Sequence, residues 1–141
     1  MYAAIGKREN GKYRQEFLCV KHAERHGLEL NGAWPDHIDR DATNDRFDNY
    51  RPANRSQQQA NSPKKGKKTG TTYSSQYKGV CWRVRERTWE ATITISGRKH
   101  HLGQFESEAD AAIAYDEASR EAFGAYARFN FPRDGERSAL T

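Results

Sequence analysis

The stretch YKGVCWRVRERTWEATITISGRKHHLGQF, Tyr77 to Phe105, decides the fold of the second half of this chain. Tyr77 to Val84 and Trp89 to Ile95 are rich in β-branched and aromatic residues, and the second run alternates Trp89, Ala91, Ile93 and Ile95 against Glu90, Thr92 and Thr94. Alternation of this kind predicts a half-buried strand with one face toward a core. Ser96-Gly97 then supplies a tight turn. Arg98 to Phe105 returns as a third strand, with His100 and Leu102 on one parity and Lys99 and His101 on the other. The product is an antiparallel meander.

Immediately downstream, Ser107 with Asp110 three residues later has the form of a capping box, and helix formers continue to Phe123 before Gly124 offers a stop. Ala111, Ala112, Tyr115, Ala118, Ser119 and Ala122 form a stripe of mostly small side chains that lets a sheet approach closely. With the helix under the inner sheet face, the outer face carries Cys81, Arg83, Glu90, Thr92, Thr94, Lys99 and His101. Polar, partly cationic side chains on an exposed sheet suit a nucleic-acid groove.

Upstream, Ser62 to Ser75 (SPKKGKKTGTTYSS) is too polar to bury a core and reads as a linker. Its Lys64, Lys65, Lys67 and Lys68 fit either a solvated spacer or a segment that follows a phosphate backbone. In the first half, Tyr2 to Ile5 and Lys12 to Val20 flank an Asn10-Gly11 turn signal and predict a β-hairpin. His22 and His26 stand four apart, as metal ligands on one helical face or as surface histidines. Taken alone, Asp36 to Arg46 reads as a charged loop with Asx turns.

The totals agree with small, partner-dependent modules. The chain has 141 residues, of which 35% are apolar, so no large core can form. A net charge of +5 suggests an anionic partner. Cys19 and Cys81 are the only cysteines, which excludes a tetrahedral cysteine zinc site and fits a reducing cytoplasm. Neither a signal peptide nor a membrane span is expected.

YKGV, the Trp89-x-Ala91-x-Ile93 strand, LGQF at Leu102 to Phe105, AAIAYDEA at Ala111 to Ala118 and FNFP at Phe129 to Pro132 resemble the APETALA/ethylene-response-factor (ERF) DNA-binding domain. The resemblance implies a three-stranded sheet on one helix, entering the major groove of double-stranded DNA through its outer face. It assigns contacts to Lys78, Arg83, Arg85, Thr92, Thr94, Lys99 and His101, with Lys64, Lys65, Lys67 and Lys68 available to phosphates. Cys81, Thr92, Thr94 and His101 stand where that family has Arg, Glu, Arg and Trp, so the plant sequence preference is not carried over.

In the first half, DHID at Asp36, Asn44 to Arg46, and DNYRPANRSQQQAN ending at Asn61 resemble the HNH endonuclease motif of phage and mobile-element homing enzymes. Members of that group carry the plant-type domain behind the nuclease, the order seen here. The resemblance implies an α+β chain: an HNH ββα-metal domain at 1–61, a basic linker at 62–76, the ERF-type domain at 77–132 and a tail at 133–141. It makes His37 the general base, Asn49 the residue that orients its loop, and Asp36 with Gln58 the ligands of one Mg²⁺ or Mn²⁺. Gln58 stands where the family has Asn, and Tyr50 where it has Leu. His22 and Asn61 would give support. The implied activity is metal-dependent cleavage or nicking of duplex DNA by a cytoplasmic monomer in a prokaryotic or phage-infected cell. The alternative is a non-catalytic DNA-binding regulator carrying a decayed nuclease domain. RNA binding is a third reading, and it requires an exposed Trp82.

Overall fold

The computed structural model describes residues 4–9, 12–64 and 75–140, with side chains from residue 20 onward. Asn10-Gly11, Lys65, Lys67 and Lys68 lie outside the described residues. The chain divides into two compact units, Met1–Arg55 and Ser56–Thr141.

In the first unit β1 (Ala4–Glu9) pairs antiparallel with β2 (Lys12–Phe17), Glu9 facing Lys12 across the expected hairpin. The second strand ends earlier than its sequence suggested. LCVKHAER, Leu18–Arg25, is the helix α1, because Leu, Lys, Ala, Glu and Arg hold the helical conformation well once strand pairing stops. A second antiparallel pair follows, β3 (Trp34–His37) with β4 (Tyr50–Ala53), which sets Asp36 opposite Arg51 and His37 opposite Tyr50.

The second unit opens on α2 (Arg55–Ala60), which shares Arg55 with the boundary. Then come β5 (Val80–Arg83), β6 (Thr88–Ile95) and β7 (Arg98–Phe105) in the antiparallel order β5-β6-β7, and α3 (Glu108–Phe123) packed on them. Ser96 and Gly97 both have positive φ, 50° and 78°, the backbone a two-residue type I′ hairpin turn requires. The hydroxyl of Ser107 accepts from the backbone N–H of Asp110 at 3.4 Å, and the N–H of Gly124 donates to Arg120, so α3 starts and stops where its sequence predicts.

A bulge between Ala91 and Thr92 changes the parity of β7. Ala91 faces Gly103 while Thr92 faces His101, so Leu102 is the extra residue. Leu102 and Phe105 can therefore both pack on the core of Val80, Ala91, Ala111 and Ala112, and Gln104 joins the outer row opposite Glu90.

One buried polar knot closes this thin core. The Asp116 carboxylate, 1% exposed, accepts from the backbone N–H and side-chain amide of Asn130 (2.9 and 3.1 Å) and from the N–H of Phe131 (2.7 Å). Asn130 in turn accepts from the Lys78 N–H at 2.7 Å and donates to the Lys78 carbonyl at 3.0 Å. The next residue, Gly79, passes directly over the Tyr115 ring with φ +78°, leaving no room for a methyl group.

Asn61, placed at the end of the first domain, is buried in the second unit and accepts from Arg128 (3.3 Å) and Arg137 (2.7 Å). Much of 133–141, read as a tail, is folded in. Arg120 holds both carboxylate oxygens of Glu136 at 2.7 Å, and Ala139 is fully buried with its N–H on the Phe129 carbonyl and its own carbonyl accepting from Lys64 N–H. The elements β3, β4 and α2 follow one another along the sequence, and residues 56–60 of α2 fall in the second unit. No helix among the described residues is long and apolar enough to cross a membrane.

Gly79→Ala combines a left-handed backbone with overlap on Tyr115, and should lower the stability of the chain by about 2–4 kcal/mol in denaturant titration. A change below about 0.5 kcal/mol would contradict the packing described for YKGV.

Candidate nucleic-acid interface

The outer face of the β5-β6-β7 sheet gathers the residues that the sequence assigned to it. Register sets Cys81 and Gln104 on either side of Glu90, Thr92 opposite His101 and Thr94 opposite Lys99. Arg83 ends β5, and Arg85 follows on the exposed β5-β6 loop. Lys99 and His101 are exposed on the edge strand β7, and Thr92 and Thr94 are half-buried between the strands. Trp82 lies on the other face, with its ring 5.0 Å from that of Trp89, edge to face. It gives no outer-face platform for stacking on a single strand.

At the centre of this face sits an acid that the sequence placed there without a role. Glu90 is 6% exposed and pairs with the Arg83 guanidinium. It also stands 3.0 Å from His101 Nε2 and accepts from the Cys81 thiol at 3.4 Å. Burial raises the Glu90 carboxyl, but Arg83, Cys81 and His101 outweigh burial, and its pKa is lowered overall. Burial and the neighbouring carboxylate raise the Cys81 thiol, keeping it a protonated donor. The signal in the sequence was an acid in the middle of a central strand among cationic neighbours.

Lys78 has a different setting from the other cations. Its ammonium donates to the carbonyls of Gln59 (3.3 Å), Ala60 (2.8 Å) and Ser62 (2.5 Å), capping the C-terminal end of α2. Lys64 is nearby in sequence to that cap, and burial pulls its pKa down.

The nuclease-like residues separate into two groups. Asp36, His37 and Asn49 belong to the first unit, whereas Gln58, half-exposed on α2, and Asn61 belong to the second. In the first unit the loop between β3 and β4 is closed by Ile38 N–H on the Asn49 carbonyl at 2.8 Å. The Asn49 side chain braces it further: its oxygen accepts from Asp39 N–H at 3.1 Å, and its amide donates to Asp39 Oδ1 at 2.8 Å and to the Asn44 carbonyl at 2.9 Å.

His37 is buried at 6% exposure, its ring 4.5 Å from that of Tyr50, and its Nε2 stands 3.5 Å from Asp45 Oδ1. The Tyr50 hydroxyl donates to the same oxygen at 2.5 Å, and His22 Nε2 lies 3.0 Å from the Asp45 carbonyl. The Tyr50 hydrogen bond, with His37, holds the Asp45 pKa below the ordinary carboxylate range despite some opposing desolvation. Asp45 was not singled out in the sequence, yet it joins His22, His37 and Tyr50, and it gives the Tyr that replaces Leu a polar task. His22 and His26 stand ring to ring at 4.7 Å.

Asp36 Oδ2 accepts from Arg51 Nε at 3.1 Å, with both side chains nearly buried. Among the described residues no group of three or more His, Cys, Asp or Glu side chains is placed to hold a metal ion.

No protein-family model and no solved structure matches the chain. Among curated proteins, it is 40% identical over 70 residues to dehydration-responsive element-binding protein 2C of Arabidopsis thaliana, a match that covers 45% of this chain and 20% of that one. It is 38% identical over 68 residues to the AP2-like ethylene-responsive transcription factor TOE2 of the same plant, covering 48% of this chain and 14% of that one. The chain thus spans a small part of these plant relatives. Against protein 3.8 of Escherichia phage T7 it is 32% identical over 98 residues, covering 70% of this chain and 76% of the phage protein. A match of that length is longer than the second unit and reaches into the first. The plant likeness and the three-stranded sheet with its helix together support an APETALA-like domain here.

Lys78→Met should lower stability by about 1–3 kcal/mol through loss of charged hydrogen bonds. Titrating duplex affinity against salt checks whether the lysine also touches phosphate: a cap leaves the slope unchanged, and a phosphate contact reduces it by about one.

Proposed function

The chain belongs to the family of protein 3.8 of Escherichia phage T7, and from that premise we propose that it is a double-stranded-DNA-binding protein whose β5-β6-β7 sheet enters the major groove. The observation that carries this reading is the outer sheet face, where Arg83, Lys99, His101, Thr92 and Thr94 project from three adjacent strands on the side opposite α3. A sheet of this width fits a major groove, and its donors match base edges and phosphates. The names of the plant relatives, an element-binding protein and a transcription factor, support the same reading. Arg85, Lys64, Lys65, Lys67 and Lys68 would add phosphate contacts, in keeping with the net charge of +5.

Fluorescence anisotropy with labelled duplex and single strands tests the proposal. Duplex should be preferred, the logarithm of the binding constant should fall linearly with log salt, and Arg83→Ala should cost about 1–3 kcal/mol. Binding that ignores salt and does not distinguish duplex from single strand would count against it.

A second reading, endonuclease activity of the HNH type, is favoured by the convergence of Asp45, Asn49 and Tyr50 on the buried His37 and its loop. In it His37 takes the proton of a water attacking a phosphodiester, one phosphorus–sugar-oxygen bond breaks, the departing oxygen takes a proton from water to leave as the sugar hydroxyl, and Asp45 holds the imidazole in the required orientation. Supercoiled plasmid incubated with Mg²⁺ or Mn²⁺ should then be nicked or linearised by the chain and left intact by His37→Ala. Identical product patterns from the two proteins would remove the reading.

A further inference from the structure

We infer that Glu90 is a positioning residue that sets sequence discrimination on the DNA-facing sheet, by fixing Arg83 and His101 while reducing the attraction of the sheet for DNA of any sequence. This rests on the duplex-binding reading and specifies how its face works.

A carboxylate on a surface that meets phosphates is an anomaly to be explained. It adds repulsion, and burying it requires compensating partners. Glu90 occupies the middle strand, so its charge is central to the face. A carboxylate can read cytosine directly by accepting from its amino group. This one is poorly placed to do so: its side chain is only 8% exposed, and both oxygens are engaged, Oε2 by Arg83 and Cys81 and Oε1 by His101. The groups it holds are the accessible ones. The Arg83 and His101 side chains are 45% and 52% exposed and flank Glu90 from the two outer strands.

Holding one edge of a guanidinium fixes the plane of its remaining donors. An unheld arginine keeps its rotamer freedom and can turn toward whichever phosphate or base is nearest. A held arginine meets one geometry well and others poorly, and discrimination between sequences is that difference. His101 is restrained the same way from the opposite side. The arrangement therefore separates two quantities that a simple basic patch moves together: affinity for DNA in general and preference among sequences.

Selection of duplexes from a random library, followed by affinity measurement on selected and unselected duplexes, tests this with the full chain, Glu90→Ala, Glu90→Gln, Arg83→Ala and the double variant Glu90→Ala/Arg83→Ala. The expected signature of Glu90→Ala is tighter binding to unselected duplex together with a roughly tenfold loss of discrimination, the scale of one bidentate base contact. Glu90→Gln, which keeps an acceptor for one partner, should fall between the wild type and Glu90→Ala and covers the case in which the alanine variant does not fold. In the Arg83→Ala background the Glu90 substitution should cost much less further discrimination. Equal weakening toward both duplexes, full discrimination retained by Glu90→Ala, or a wild type that binds duplex with no preference would each overturn the inference while leaving duplex binding standing. A wild type that does not prefer duplex at all would remove the underlying reading itself.

Discussion

The Asp116 carboxylate is the constraint through which the second unit is assembled. The fully buried apolar side chains of this core are alanines except for Val80, so burial of area alone holds the elements weakly. A buried acid that accepts from three N–H groups supplies direction that small side chains cannot. Burial raises its pKa, and the Asn130 and Phe131 donors with Arg120 offset only part of that rise. Without it those three donors would be left unpaired in a site with little water, at about 1–3 kcal/mol each. The consequence passes along the chain: Asp116 holds Asn130, Asn130 holds both backbone groups of Lys78, and Gly79 is thereby pressed on Tyr115 at the start of β5. Arg83, three residues beyond Val80, owes its place on the outer face to that path.

What the sequence showed, and what it concealed, follows from the range over which each signal acts. Alternation in TWEATITI reports which side of a strand is buried, the Ser96-Gly97 pair reports a turn, and Ser107 reports a cap; each depends on neighbours a few residues away. The bulge at Leu102 broke that reading locally, because one unpaired residue reverses parity and places Phe105 with the core. Longer contacts were invisible. Nothing local marks Lys78 as a cap on a helix 18 residues upstream, or Asn61 as the acceptor of Arg137, 76 residues away. The anchoring of Glu136 by Arg120 depends on such a reach, while the sheet and its helix were plain.

The outer face was also legible as a list of residues and not as an arrangement. Parity placed Arg83, Glu90 and His101 on one side, but a diagonal linking three strands appears only with the register. The Arg83 guanidinium is a strong cation further favoured by Glu90, so the pair stays ionised wherever a carboxylate does. Net charge alone would describe this surface as simply basic.

The loop of the first unit carries five aspartates between Asp36 and Asp48, which invites a metal site. Asp36 is matched by Arg51, Asp39 by Asn44 and Asn49, Asp41 by Thr43, Asp45 by Tyr50 and Asp48 by Arg46. Each of these carboxylates is hydrogen-bonded, Asp36 on the strand and the others within the loop. What separates this from an ordinary Asx-turn loop is the buried His37, since an imidazole enclosed beside Tyr50 and Asp45 is more than such a loop requires. The hydrogen-bonded shape holds the His37 ring beside Tyr50 and Asp45. Binding by the sheet is accordingly the primary reading, and cleavage by the loop the secondary one.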